Sequence, residues 1–173
     1  RYFDGIDDVV VVSHASSLAI ASELTVMGWV HAASVGAGYR VILAKRMNAL
    51  NRHNYYFARL GNKLYFEFTN LVPTDFANTS VSLVLVANEW MHVAVVYNDL
   101  LDTVTFYKNG VGEALAQAGS MVASTSGALN VGRNVAASSE WWSNLIGEIS
   151  TYNRALSFLE VRRNYEMTKW RYQ

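Results

Sequence analysis

The first twelve residues, RYFDGIDDVVVV, gather three carboxylates, Asp4, Asp7 and Asp8, around one glycine and directly ahead of four valines. Three readings compete for such a cluster. Calcium takes six to eight hard oxygen ligands, and a tight turn can offer carboxylates and carbonyls together. On that reading Asp4 and Asp8 are the candidate metal ligands. Two of the acids could instead form an acid/base pair. In the third reading Asp4 and Gly5 make a turn, while Asp7 and Asp8 keep a strand end soluble. Elsewhere the signs of catalysis are missing. His14, His31, His53 and His92 lack zinc-ligand spacing, and the chain has no His-Glu-x-x-His, no Gly-x-Ser-x-Gly and no P-loop. His92, between Met91 and Val93, reads as a hydrogen-bonded core histidine.

Two stretches have the composition of a sugar site, which needs an apolar ring face and a few fixed polar groups. RMNALNRHNYY (46–56) collects Asn48, Asn51, Arg52, His53 and Asn54 beside Tyr55 and Tyr56. ASSEWWSN (137–144) presents Trp141 and Trp142 among small polar residues. Trp141 is the candidate stacking ring, and Asn51, Arg52, His53 and Tyr55 are the candidate ligand contacts. The competing reading of the first stretch is an ordinary solvated turn. Trp29 and Trp90 fall within strand patterns and read as core.

These residues must be held by strands. TVMGWVH (25–31), YRVILAKR (39–46), NYYFARL (54–60), KLYFEFT (63–69), VSLVLV (81–86), WMHVAVVY (90–97) and TVTFYKN (103–109) are short, β-branched and aromatic. In KLYFEFT, Leu64, Phe66 and Phe68 share one face and Tyr65, Glu67 and Thr69 the other, the period of a strand with one buried side. WMHVAVVY is apolar on both faces, as a central covered strand should be. Gly61-Asn62 and Asn109-Gly110 mark hairpin turns. LVPTDFANTS (71–80), with the chain's one proline, reads as a loop. Only the end reads as helix: Ser157 caps LSFLEVRRNYEM, with Glu160 as its capping-box partner. The fold class is therefore all-β, an antiparallel sandwich with one short C-terminal helix.

The totals agree. A chain of 173 residues with 51% hydrophobic content fits one folded domain, residues 1–173. Fourteen basic and fourteen acidic residues cancel, which argues against a nucleic-acid partner. No apolar run approaches a spanning helix, so no membrane insertion is expected. The start at Arg1 suggests a piece trimmed from a longer protein. With zero cysteines there is no disulfide or thiolate chemistry.

Several of these segments occur together in one family. YFDGIDDVVVV with SSLAIASELTVMGWVH resembles the opening of laminin-G-like (LamG) modules of the concanavalin A-like lectin/glucanase superfamily. WMHVAVVYNDLLDTVTFYKNG resembles their central hairpin, LNVGR (129–133) the next strand, and LIGEISTYNRALSFLEVRRNY their closing strand and helix. The tail NYEMTKWRYQ is similar to the endings of such modules in phage and other virion proteins. The resemblance implies a jelly-roll whose first and last strands pair, with Tyr2-Phe3 beside the strand around Ile146–Tyr152. It implies recognition of glycans or glycoproteins, and in some members calcium held by an acid of the first turn. It also implies that Trp142 packs in the core. Many members carry an Asp-Glu pair in the closing strand where this chain has Gly147-Glu148. Glycosidases of this fold use a Glu-x-Asp-x-x-Glu run, which is absent here.

The function expected is that of a non-catalytic module, displayed outside the cell or on a virion surface in a multimeric parent assembly. It would bind a glycan by aromatic stacking and amide hydrogen bonds. The alternatives are a purely structural virion or spacer domain and, more remotely, a polysaccharide-cleaving enzyme.

Overall fold

The computed structural model describes residues 1–47, 52–69, 75–124, 126–134 and 139–172. Among these residues twelve strands appear in chain order: β1 (Tyr2–Asp4), β2 (Val10–Val12), β3 (Glu23–Ala32), β4 (Tyr39–Arg46), β5 (His53–Leu60), β6 (Lys63–Thr69), β7 (Asp75–Val84), β8 (Trp90–Asn98), β9 (Thr103–Lys108), β10 (Val111–Ala116), β11 (Leu129–Val131) and β12 (Ser143–Tyr152). An α-helix, α1 (Phe158–Thr168), follows. They form two six-stranded sheets, ordered β1-β12-β3-β8-β9-β10 and β2-β11-β4-β5-β6-β7. Neighbouring strands run antiparallel, so this is the expected jelly-roll sandwich.

Alternation along each strand fills the space between the sheets. Val26 and Val30 of β3, Val93, Val95 and Tyr97 of β8, and Phe57, Leu64, Phe66 and Phe68 of β5 and β6 meet in one core. Trp142 joins them at 1% exposure, as the family resemblance implied. The two-residue turn Asn109-Gly110 takes φ of 50° and 76°, the left-handed pair that a tight hairpin requires. Gly28 answers a different demand. β12 bulges between Ile146 and Ile149, and a Cβ on Gly28 would lie 2.6 Å from the Glu148 carbonyl oxygen.

The chain ends meet as the terminal motifs implied, with Phe3 opposite Asn144 and Ile146 N–H donating to the Arg1 carbonyl at 3.0 Å. The stretch 71–80 differs from its reading as a loop, because β7 begins at Asp75. The pairing shifts between Lys63 and Tyr65, leaving extra β7 residues opposite β6. The Glu113 carboxylate holds that irregular backbone, accepting from Ser82 N–H at 2.7 Å, Leu83 N–H at 3.2 Å and also Val81 N–H. This support comes from a strand thirty residues away, which local sequence does not reveal.

The outer faces of the two sheets have different fates. On the first, Met27, Ala94, Val96 and Tyr107 pack beneath Leu156 and Val161 at the start of α1. The capping box is formed: Ser157 Oγ accepts from Glu160 N–H, and Glu160 Oε2 accepts from Ser157 N–H at 2.8 Å. The chain beyond α1 then covers Trp29, whose ring stacks on Tyr172 at 4.5 Å and whose Nε1 donates to Thr168 Oγ1 at 2.8 Å. Trp29 is thus buried under the C-terminal segment and not between the sheets. Trp90 corrects its reading as core, since it is half-buried at the margin of this cluster, 4.8 Å from Tyr172. Among the described residues, no helix lies on the outer face of the second sheet.

Candidate functional site

On that helix-free face β4, β5 and β6 point Tyr39, Val41, Ala44, Tyr56, Ala58 and Tyr65 away from the core. The pairing explains which residues turn outward. Phe57 pairs with Phe66 and Tyr56 with Glu67, so inward Phe57 and Phe66 leave Tyr56 and Glu67 side by side outside. Tyr39 and Tyr65 meet edge to face at 5.0 Å, and Tyr56 stands 6.0 Å from Tyr65 in the same manner. Such pairs add about 0.5–1.5 kcal/mol each to area burial, which favours one fixed arrangement of the rings.

Beside these rings opens a pocket of about 250 Å³ lined by Tyr39, His53, Tyr56, Glu67, Asn134 and Glu140. Its polar groups are tied together. Glu140 Oε2 accepts from Tyr56 O–H at 3.0 Å and from Asn134 Nδ2 at 2.7 Å. Glu67 Oε2 accepts from Tyr65 O–H at 2.5 Å, and Glu67 Oε1 lies 3.4 Å from His53 Nδ1. Burial alone would raise the Glu67 pKa, but hydrogen bonds from His53 and Tyr65 outweigh it and hold the carboxyl below its ordinary value. Burial, and then the neighbouring carboxylates, push the Tyr56 phenol far above its usual range, so it stays a neutral donor. His53 Nε2 is buried without a hydrogen-bond partner among the described residues.

The two sugar-like stretches of the sequence do converge here, through different members than those first singled out. His53 takes its expected place in the pocket. Asn48 and Asn51 lie outside the described residues. Arg52 is half-buried, and its carbonyl accepts from Met47 N–H at 2.9 Å. Tyr55 is corrected: it is 0% exposed, points into the sandwich and donates to the Leu18 carbonyl at 3.2 Å. The inward parity of β5 puts it there. From the second stretch it is Glu140 that lines the pocket. Trp141 is half-buried with the Arg133 guanidinium 3.5 Å above its ring.

The sequence reading passed over Tyr39, Glu67, Asn134 and Glu140 as site residues. For Glu67 the signal was present, since it shares the outward face of KLYFEFT with Tyr65.

The opening turn uses its carboxylates internally. Asp4 Oδ1 accepts from Ile6 N–H at 2.8 Å and Asp7 N–H at 3.2 Å, and the former bond leads in holding the Asp4 carboxyl below its ordinary value. Asp8 Oδ2 accepts from Asp4 N–H at 2.9 Å, and Asp8 Oδ1 faces Arg1 Nη2 at 3.4 Å. Calcium needs six to eight oxygens. Among the described residues no group of three or more His, Asp or Glu side chains could hold a metal ion. Both candidate ligands, Asp4 and Asp8, thus accept from backbone N–H groups of the turn itself.

With this geometry in place, comparison with known proteins gives the class. A laminin-G-type family model described as the Concanavalin A-like lectin/glucanases superfamily matches residues 4–162. The chain belongs to that superfamily. No curated protein sequence matches it. Among solved structures, the botulinum neurotoxin serotype G binding domain is similar over 96% of this chain and 42% of its own, at 11% identity and a TM-score of 0.74. The Ruminococcus gnavus IT-sialidase CBM40 bound to α2,3-sialyllactose is similar over 95% of this chain and 97% of its own, at 13% identity and a TM-score of 0.74. A heptameric SAP-like pentraxin from Limulus polyphemus covers 93% of this chain and 78% of its own, at 15% identity and a TM-score of 0.67. At these identities the likeness is one of fold.

Proposed function

We propose that the protein is a non-catalytic glycan-recognition module whose site is the pocket on the helix-free sheet. One observation carries the reading: strands β4, β5 and β6 and the segments at Asn134 and Glu140 converge on a solvent-open pocket whose floor is polar and built from buried side chains. Tyr56, His53 and Asn134 are 3%, 7% and 6% exposed, so their polar atoms are fixed before any ligand arrives. Tyr39, less buried, supplies ring surface at the wall. That a sialidase CBM40 of the same fold is described with a bound sialyllactose supports a glycan ligand.

The bonding of the two carboxylates favours recognition over glycoside hydrolysis. Such enzymes need one carboxyl kept protonated as general acid beside an ionised partner. Glu67 is shifted the other way, and Glu140 is held by two donors as an acceptor. A single small pocket binds weakly, so display in several copies on an extracellular or virion assembly would supply avidity. The test is a glycan-array screen of the parent, Tyr39→Ala and Glu140→Gln. Loss of signal in both variants, with unchanged circular dichroism and no release of reducing sugar, is expected. A parent that binds no glycan, or variants that bind as the parent does, would refute the reading.

The alternative, a domain that only packs against neighbours, has one observation in its favour. Leu159, Met167 and Trp170 on the C-terminal segment are 72%, 61% and 69% exposed. Concentration-dependent self-association abolished by Trp170→Ser would support it.

A further inference from the structure

We propose that the pocket selects uncharged, hydroxyl-rich sugars and rejects glycans whose contacting residue carries a carboxylate. This rests on the glycan-recognition reading and names its ligand class. The argument lies in which hydrogen-bonding capacity the protein has already used. The Tyr56 O–H is given to Glu140, the Tyr65 O–H to Glu67, and Asn134 Nδ2 donates to Glu140. His53 faces Glu67 through Nδ1; with the proton on that nitrogen, its buried and unpartnered Nε2 is an acceptor too. What remains toward the pocket is mainly acceptor capacity, in the carboxylates of Glu67 and Glu140 and the Tyr56 phenol oxygen, with the Tyr39 hydroxyl able to donate or accept. A ligand is therefore met chiefly as a donor, and vicinal sugar hydroxyls donate in a fixed geometry. Hydrogen bonds to ionised acceptors are the stronger kind, so a few suffice.

An anionic sugar meets the opposite situation. Among the described residues no Lys or Arg lines the pocket. Two guanidinium groups adjacent in sequence to lining residues are engaged elsewhere. Arg40 Nη1 donates to the Tyr39 and Ser139 carbonyls at 2.7 and 3.0 Å, and Arg133 lies over Trp141. A sialic or uronic carboxylate would be placed against Glu67 and Glu140 with no counter-charge, and such juxtaposition disfavours a partner strongly. The pocket's size adds a limit. At about 250 Å³ it falls below the roughly 300–1,000 Å³ of typical small-molecule sites, which suits one sugar residue and not a buried chain.

The experiment is calorimetric titration of the intact chain with neutral oligosaccharides. Each is paired with a counterpart bearing one sialic or uronic acid, and chemical shifts of Tyr56 and Glu67 report on the pocket. Neutral members should bind at least tenfold more tightly than their charged partners. Glu140→Gln should weaken neutral binding about tenfold and narrow the gap. Because Glu140 also anchors Tyr56, Glu67→Gln serves as an independent second variant with the same expectation. Charged partners binding at the pocket as well as the neutral ones would overturn the selectivity and leave glycan recognition standing. No binding by either kind would overturn both.

Discussion

The two sheets share an architecture and differ in what lies outside them. The outer face of the first is sealed by α1 and the tail, where Trp29, His92, Tyr165 and Tyr172 close over one another. The outer face of the second has no such cover among the described residues, and its pocket is bordered by the half-buried Tyr39, Glu67 and Glu140. Polar groups follow the same division. His92 is buried on the sealed side, its Nδ1 unpartnered among the described residues beside a cavity of about 20 Å³, room for one water. On the open side nearly every polar atom is tied to a neighbour and oriented. The sealed face is packed like core, and the open face presents the pocket to which we assign recognition.

Substitutions can separate these roles. The largest effect belongs to Trp29→Ala, which removes a ring 4% exposed together with its bond to Thr168. It should cost about 3–5 kcal/mol in urea unfolding, while the folded fraction keeps its glycan affinity. A loss of affinity in that fraction would mean the two faces are coupled.

Next comes pH. Burial lowers the His92 pKa to about 4. The unfolded chain, with an ordinary value near 6.5, therefore binds a proton that the folded state refuses. The stability due to neutral His92 is complete above about pH 6.5 and declines as pH falls toward 4, by about 3 kcal/mol in all. His92→Gln should flatten the unfolding midpoint across that window. An equally steep decline in the variant would assign the effect to another group.

The smallest effect tests the seal at its edge. Ser157→Ala removes the helix cap and should cost about 1 kcal/mol, read as a drop in thermal midpoint with binding unchanged. No measurable drop would show that tertiary packing alone holds α1.

The architecture was largely legible because period-two strands and left-handed turn residues are local signals. KLYFEFT announced its two faces, and Ser157 with Glu160 announced the helix start. The pocket was legible only in part. With the Gly61-Asn62 hairpin fixing Leu60 opposite Lys63, alternation alone sends Tyr55 inward and Tyr56 outward beside Glu67. That step was available and would have corrected Tyr55. Glu140 and Asn134 were not available, because they reach the pocket from segments about 80 residues away that no spacing rule connects. Trp141 drew attention by type, yet its ring is occupied by Arg133. The opening acids likewise suggested a metal by type, and in the structure Asp4 and Asp8 each accept from the turn's own N–H groups.

The central claim is that recognition lies on the open sheet. It is tested most directly by titrating isotope-labelled protein with a neutral oligosaccharide and mapping the amide and side-chain shifts. The account predicts changes concentrated at Tyr39, His53, Tyr56, Glu67, Asn134 and Glu140, with α1 and Trp29 silent. Changes centred on α1, on Trp29 or on the first turn at Asp4 and Asp8 would contradict it.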